Sequence, residues 1–110
     1  MSLTRLYEDG KTRCAWPGND DQYLEYHDTE WGVPVSGDQA MFERVTLEGF
    51  QAGLSWITIL KRREGFRQAF HGFDLARVAA MTASDTERLM QDSGIIRNRA
   101  KIEATIHNAA

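Results

Sequence analysis

The sequence has one cysteine, two prolines and no long apolar run. Cys14 has no second cysteine with which to form an internal disulfide, so it is a buried small side chain, a reactive thiol or a metal ligand. No segment approaches the roughly 20 apolar residues of a membrane-spanning helix, and the N-terminus lacks the apolar stretch of a signal peptide. We therefore expect a cytoplasmic protein with no membrane partner.

The composition is that of a globular protein, and its charge is unevenly distributed. The 110 residues are 42% hydrophobic and 26% charged, which predicts one folded domain, or part of one, rather than a disordered chain. Residues 1–48 contain four Lys/Arg and ten Asp/Glu, whereas residues 49–110 contain nine and six. The basic second half could neutralise phosphates, although a mixed, solvated helix surface explains the same numbers.

The apolar periodicity is helical throughout, and it predicts an all-α fold of five or six helices without a strand. Asp38 and Asp74 are placed to cap their helices, and Ser84 with Glu87 has the spacing of a capping box. The last helix has no stop signal, so we expect the chain to end inside it. The predicted helices are 19–31, 38–52, 55–70, 75–81, 84–92 and 99–110.

The first predicted helix carries polar aromatic residues on one face. Tyr23, Tyr26, His27, Glu30 and Trp31 occupy positions i, i+3, i+4, i+7 and i+8. Such a stripe is either an aromatic core face that contains a hydrogen-bonded histidine, or the lining of a pocket for a flat polar ligand. In the second case, rings would stack on a base while hydroxyl and carboxylate groups read its edge.

A carboxylate interrupts the apolar stripe of the second predicted helix. Met41, Val45 and Ala52 lie at i, i+4 and i+11, which places Glu48, at i+7, on the side predicted to be buried. Burying a carboxylate costs several kcal/mol unless it is paired or binds something. Glu48 is therefore expected either in a buried salt bridge or in a pocket for a cationic or hydrogen-bonding ligand.

Several strings of the sequence resemble a known family. They have, in order and spacing, the pattern of the N-terminal part of 3-methyladenine DNA glycosylase I, within the helix-hairpin-helix DNA glycosylase superfamily. The resemblance covers residues 13–110 and implies that residues 1–110 form the first part of a helical glycosylase domain. The helix-hairpin-helix part would lie beyond residue 110. The matching strings are RCAWPG, YLEYHDTEWGVP, LEGFQAGLSWITILKRREGFRQAF, MTASDTERLMQDSGIIRNRAKI and IHNA.

The resemblance also implies roles for individual residues. Glu48 would be the candidate catalytic residue, as the carboxylate that recognises the base, and Leu54 an apolar wedge in the gap left by the flipped nucleotide. Gly94 would take a positive φ in a turn before basic residues that face phosphates. The base-binding residues would be Trp16, Tyr23, Tyr26, Trp31 and Trp56, and the phosphate-facing residues Arg97, Arg99 and Lys101.

A metal is expected only through the resemblance. Cys14 and His27 alone supply two of the four ligands that zinc usually takes, and His71 and His107 show no ligand spacing. In the family, Cys14 and His27 match half of a structural zinc site, whose remaining ligands would lie outside this chain.

The function implied is hydrolysis of the N-glycosidic bond of 3-methyladenine in double-stranded alkylated DNA, with the base flipped into an aromatic pocket. Two alternatives remain: a non-catalytic DNA-damage sensor and a module that binds another small cation. Because helix faces at Met41, Val45, Ile102 and Ile106 would be left uncovered, we also expect this chain to self-associate unless a further segment covers them.

Overall fold

A computed structural model describes residues 3–110. These residues form two compact units, 3–34 and Val35–Ala110. The first unit contains strands β1 and β2 and helix α1. The second contains helices α2 to α7, which confirms the mostly helical prediction. The elements are β1 (Thr4–Leu6), β2 (Thr12–Cys14), α1 (Asp21–Thr29), α2 (Asp38–Gln51), α3 (Trp56–Lys61), α4 (Arg63–Ala69), α5 (Leu75–Ala79), α6 (Ala83–Leu89) and α7 (Arg99–Ala109).

The prediction of no strand was wrong, because the first unit begins with a short antiparallel hairpin. Arg5 pairs with Arg13 at its centre, and the turn closes through Tyr7 N, which donates to Lys11 O over 2.9 Å. Gly10 has a φ of 82°, which the left-handed turn requires. Each strand has only three residues, too few to produce a recognisable alternation in the sequence.

Tyr7 anchors the hairpin, and α1 follows it. Tyr7 is buried, its hydroxyl donates to Cys14 O over 2.8 Å, and the guanidinium groups of Arg5 and Arg13 each lie over its ring. The following helix begins at Asp21 because the Asp20 carboxylate accepts a hydrogen bond from Tyr23 N over 2.9 Å.

The second unit is organised around a phenylalanine-rich core. Helix α2 buries one face, which contains Phe42, Thr46, Leu47 and Phe50. Phe50 packs against Phe66 and Phe70, with ring centroids 4.8 and 6.3 Å apart. The side chains in this unit that are less than 2% exposed are Phe50, Phe66, Phe70, Phe73, Ile59, Leu60, Leu89, Ile102 and Val78.

The predicted helix 55–70 is divided in two at Arg62, whose φ and ψ of −103° and 5° interrupt the helical run. Helix α3 buries Ile59 and Leu60, and α4 buries Phe66 and Ala69. A turn, His71–Phe73, follows, in which all three residues have positive φ. Phe73 is fully buried there, and Gln39 Nε2 donates to Gly72 O over 2.7 Å, so packing and a hydrogen bond hold an otherwise unfavourable backbone.

Of the three predicted helix starts, one is confirmed. Asp74 caps α5 by accepting from Arg77 N over 3.0 Å. The capping box of α6 is formed by Thr82 and Asp85 rather than by Ser84 and Glu87, so the prediction was two residues late. Asp38 was also wrong as a cap, because Gly37 occupies that position and Asp38 is already in the first turn.

Candidate functional site

Four aromatic rings and a histidine contact one another in the first unit, and three of these residues, Tyr23, Tyr26 and His27, lie on α1, on the face that the sequence predicts. We call Trp16, Tyr23, Tyr26, His27 and Trp31 the aromatic cluster. The Trp16 ring lies 4.9 Å from that of Tyr23 and 5.7 Å from that of Trp31, while His27 stacks on Trp31 at 5.7 Å and 12°. The cluster therefore brings four predicted base-binding residues together.

The residues of the aromatic cluster differ in their exposure to solvent. Tyr26 is 5% exposed, whereas Trp16 and Trp31 are 41% and 52% exposed. Partial burial, and then the nearby Tyr26, raise the pKa of Tyr23, so its hydroxyl stays protonated and able to donate a hydrogen bond near neutral pH. The cluster thus presents accessible indole rings beside the protonated Tyr23 phenol, and these can stack on a flat ring and bond to its edge.

The two predicted metal ligands lie on elements joined by an ion pair. Cys14 ends β2, and His27 lies on α1, one residue before Asp28. The Arg13 guanidinium donates to Asp28 over 2.8 Å and so links the strand to the helix. Within residues 3–110 there is no group of three or more His, Cys, Asp or Glu residues placed to hold a metal.

His27 has a carboxylate partner on one side of its ring. Its Nδ1 lies 2.9 Å from Asp28 Oδ1. The hydrogen bond from His27 and the neighbouring Arg13 lower the pKa of Asp28, so this carboxylate is ionised. A carboxylate on one imidazole nitrogen leaves Nε2 for a ligand bond, the arrangement common around zinc-binding histidines. His27 and the half-buried thiol of Cys14 therefore suit zinc chemistry but supply only two donors.

In the second unit, Glu48 is not buried, and that prediction was wrong. Its side chain is 57% exposed, while Met41 and Val45 are 47% and 53% exposed. Helix α2 instead turns Phe42, Thr46, Leu47 and Phe50 to the core, so the stripe that contains Glu48 faces outward. The sequence misled because α2 has apolar residues on both faces, and periodicity cannot tell which face packs.

Arg44 joins two predicted site residues, and sequence reasoning missed it. Its guanidinium carbon lies over the Trp56 ring, 5.9 Å from the centroid, and its Nη1 lies 3.9 Å from Glu48 Oε1. The spacing of Arg44 and Glu48 at i and i+4 on one helix was the available signal. Glu48 and Trp56 thus contact the same cationic group.

Lys101 binds the backbone just before Leu54, the predicted wedge residue. Leu54 follows the end of α2, is 39% exposed, and lies next to Gly53, whose φ is 81°. Lys101 Nζ donates to Phe50 O and Ala52 O, both over 3.1 Å, so its ammonium binds carbonyl groups at the C-terminus of α2. Leu54 therefore projects from a turn tethered on its N-terminal side.

The remaining residues predicted to face phosphates differ in their surroundings. Arg99 is paired with Glu87 through both of its terminal nitrogens, and this pair lowers the pKa of Glu87. Arg97 is exposed and has no hydrogen bond or ion pair to another residue in the range 3–110. Gly94 does not have a positive φ, so that prediction was wrong; it lies instead against the backbone of Gly65.

The uncovered apolar surface is smaller than predicted. Met41 and Val45 are exposed, but Ile102 is fully buried and Ile106 packs against the core. None of the helices among the described residues is both long and apolar enough to cross a membrane.

Comparison with known proteins gives consistent matches. Residues 16–110 match the profile of the family described as methyladenine glycosylase. The chain is 58% identical over 97 residues to DNA-3-methyladenine glycosylase 1 of Escherichia coli, covering 88% of this chain and 52% of that protein. The chain thus spans about half the length of the curated relatives it matches.

Solved structures match as well. A crystal structure of 3-methyladenine DNA glycosylase I is 57% identical, with a TM-score of 0.85, and the match covers 88% of this chain and 53% of that one. A variant of 3-methyladenine DNA glycosylase I, solved in complex with 3-methyladenine, is 44% identical, with a TM-score of 0.83 and coverage of 87% and 52%.

Proposed function

Because this chain belongs to the methyladenine glycosylase family, we propose that it acts in hydrolysing the N-glycosidic bond of 3-methyladenine in double-stranded alkylated DNA. The observation that carries this proposal is the 58% identity, over 97 residues, to a curated DNA-3-methyladenine glycosylase. Because the proposed substrate is DNA, the protein should be located in the same compartment as the DNA, and the proposed compartment is the cytoplasm.

The substrate largely activates itself. A 3-methyladenine nucleotide carries a positive charge on its base, so when the bond between the sugar C1′ and the base N9 breaks, the electron pair leaves with a neutral base. Water then bonds to C1′ of the oxocarbenium-like sugar and loses a proton to solvent. The protein must extrude the nucleotide and select the cationic base, while protonation of the leaving group is not required.

We assign stacking to the aromatic cluster of the first unit, because Trp16 and Trp31 expose indole faces beside the Tyr23 and Tyr26 hydroxyls. Indole faces attract cationic rings through the aromatic quadrupole. In the second unit, we assign recognition of the base to Glu48, since its exposed carboxylate can accept hydrogen bonds from the adenine edge, and further stacking to Trp56.

Contact with the DNA is assigned to the second unit. Leu54 is the wedge, because it is an exposed apolar side chain on a tethered turn. Arg97 is the best-placed phosphate contact, since its charge has no partner among the described residues. Arg99 and Lys101 are already engaged, by Glu87 and by two carbonyls, so each offers a phosphate only its remaining N–H donors. Gly94 shapes the preceding turn through its backbone.

Structural zinc is the proposed cofactor, with Cys14 and His27 as two of its ligands and the others outside these 110 residues. Bound zinc would cross-link β2 to α1, which the Arg13–Asp28 ion pair already brings together. Metal analysis of this 110-residue chain should show substoichiometric zinc that chelators remove, and less zinc in Cys14→Ser. One zinc per chain that survives dialysis against a chelator would place the other ligands within the chain, and His71 and His107 would be the first to test.

The decisive experiment joins this chain to the part of a relative that it does not match. In a chimera, this chain replaces the matching 97 residues of the Escherichia coli protein. The chimera should release 3-methyladenine from alkylated duplex DNA, and the same chimera with Glu48→Gln should release it more slowly. A folded chimera that binds alkylated DNA without releasing the base would instead support a damage sensor. A folded chimera that binds neither alkylated DNA nor 3-methyladenine would overturn the proposal.

A further inference from the structure

Arg44 contacts both residues of the second unit to which we assign base recognition and stacking. Its guanidinium carbon lies over the Trp56 ring at 5.9 Å from the centroid, and its Nη1 lies 3.9 Å from the Glu48 carboxylate. Its side chain is 24% exposed, much less than that of Glu48. A positive charge of this protein therefore already contacts both Glu48 and Trp56.

A guanidinium resembles a protonated or alkylated adenine in three respects. Both are flat, both spread their positive charge over several nitrogens, and both present N–H donors along an edge. A flat cation can stack on the face of an indole and donate hydrogen bonds to a carboxylate at the same time. Arg44 already makes the first of these contacts with Trp56, and it forms a longer ion pair with Glu48 at 3.9 Å.

We propose that Arg44 is an internal occupant of the base-recognition site, which a base must displace from Trp56 and Glu48 before it can bind. This inference rests on the proposed function of Glu48 and Trp56. Displacing the side chain costs the ion pair and the cation–π contact, so Arg44 lowers the affinity of the site for every base that enters it. A ligand binds more tightly when a competing contact of this kind is removed.

Three roles for Arg44 predict different effects of Arg44→Met, which keeps an apolar stem and removes the guanidinium. The probes are 3,9-dimethyladeninium, a permanent cation, and neutral 9-methyladenine. If Arg44 occupies the site, both probes should bind about three- to tenfold more tightly to the variant, the range expected for one i,i+4 ion pair and one cation–π contact. If Arg44 acted only by charge repulsion, the cation alone would gain affinity, and the proposal would be wrong.

The third role is orientation of Glu48 by Arg44, in which case both probes would bind more weakly to Arg44→Met. That result would also overturn the proposal. Arg77→Met is the matched control, because Arg77 is exposed on α5 and the exchange is chemically the same. Its affinities should equal those of the unmodified protein.

Proton NMR tests the displacement directly. Because Arg44 lies over the Trp56 ring, its side-chain protons should be shifted upfield by the ring current, and saturation with 3,9-dimethyladeninium should abolish that shift. Arg44 protons that keep the shift in the saturated complex would overturn the proposal, while binding itself would leave the proposed function standing. If neither protein binds either probe, this proposal is wrong, and release of 3-methyladenine by the chimera decides the proposed function separately.

Discussion

Gly65 of α4 and Gly94 of the turn before α7 contact each other through their backbones, so closely that position 65 has no room for a larger residue. A Cβ atom on Gly65 would lie 2.2 Å from Gly94 O and 2.9 Å from its carbonyl carbon. Arg62 Nη1 also donates to Ser93 O over 3.0 Å, next to this contact. Together the two contacts fix the start of the segment that carries Arg97.

Gly65→Ala should destabilise the protein, because the neighbouring atoms are backbone and cannot rotate away. We expect a loss of about 1 to 3 kcal/mol, as for other overpacked sites. Gly49→Ala on α2 is the matched control, since no atom lies within 4 Å of a Cβ there, and it should be neutral or stabilising. Urea unfolding measures both. Equal stabilities of the two variants would mean that the contact is looser than the structure indicates.

Thr82→Ala should weaken α6, whereas Ser84→Ala should not. In the capping box, the Thr82 side chain accepts a hydrogen bond from the backbone N–H of Asp85, and Thr82 N donates to Asp85 Oδ2 over 2.8 Å. Loss of a helix cap typically costs about 0.5 to 2 kcal/mol. Thermal unfolding of the two variants compares the box that forms with the one that the sequence alone predicts. A larger effect of Ser84→Ala would contradict the observed start of α6.

Low pH should destabilise the N-terminus of α6. The hydrogen bond from Thr82 N, and then Arg88, lower the pKa of Asp85 below its ordinary value of 3.8. A carboxyl whose pKa is lower in the folded state adds stability above its unfolded pKa and loses it as the pH falls through the folded value. Unfolding midpoints of Asp85→Asn should therefore fall less steeply than those of the unmodified protein below about pH 4. Parallel curves would exclude a contribution from Asp85.

Removing the charge of Lys101 should lower the stability of the protein, whereas removing the charge of Arg97 should not. Lys101→Met leaves Phe50 O and Ala52 O without their charged donor, so it should lower stability by about 1 to 3 kcal/mol. Arg97→Met should leave stability unchanged within about 0.5 kcal/mol, since the side chain is exposed and unpaired among residues 3–110.

DNA binding by the chimera distinguishes the same two residues. Arg97→Met should lower the slope of log affinity against log salt by about one counterion, the change expected for one lost phosphate contact. A lower slope for Lys101→Met, with stability unchanged, would instead make Lys101 a phosphate contact.

Glu48→Gln should affect binding but not folding. The side chain is 57% exposed, and its contact with Arg44 is 3.9 Å long, so the change removes little from the folded state. Binding of 3-methyladenine should weaken by about 1 to 3 kcal/mol through the loss of a charge-assisted hydrogen bond. Glu103→Gln on α7 is the exposed control. A large fall in melting temperature with normal release of base by the folded fraction would make Glu48 a structural residue.

Most of the helices could be predicted from the local sequence, but the hairpin and the break at Arg62 could not. Tyr23, Tyr26 and His27 of the aromatic cluster were predictable because α1 puts residues three and four apart on one face, and Asp74 caps α5 as its residue type indicates. The hairpin was missed because its strands are three residues long. The break at Arg62 was missed because the apolar pattern continues across it and a local departure of the backbone leaves no compositional mark.

The sequence by itself determined the helical character of the chain, its resemblance to a family and the identity of the residues assigned to the site, because periodicity, capping residues and rare motifs are local properties of a chain. Only the tertiary structure decided which face of α2 is buried. Phe42, Leu47 and Phe50 contact the core and thereby turn Glu48 outward, although an apolar residue lies on either face. The partners of Arg44, Lys101 and Gly65 were decided in the same way, because long side chains and close backbone contacts depend on which elements pack together.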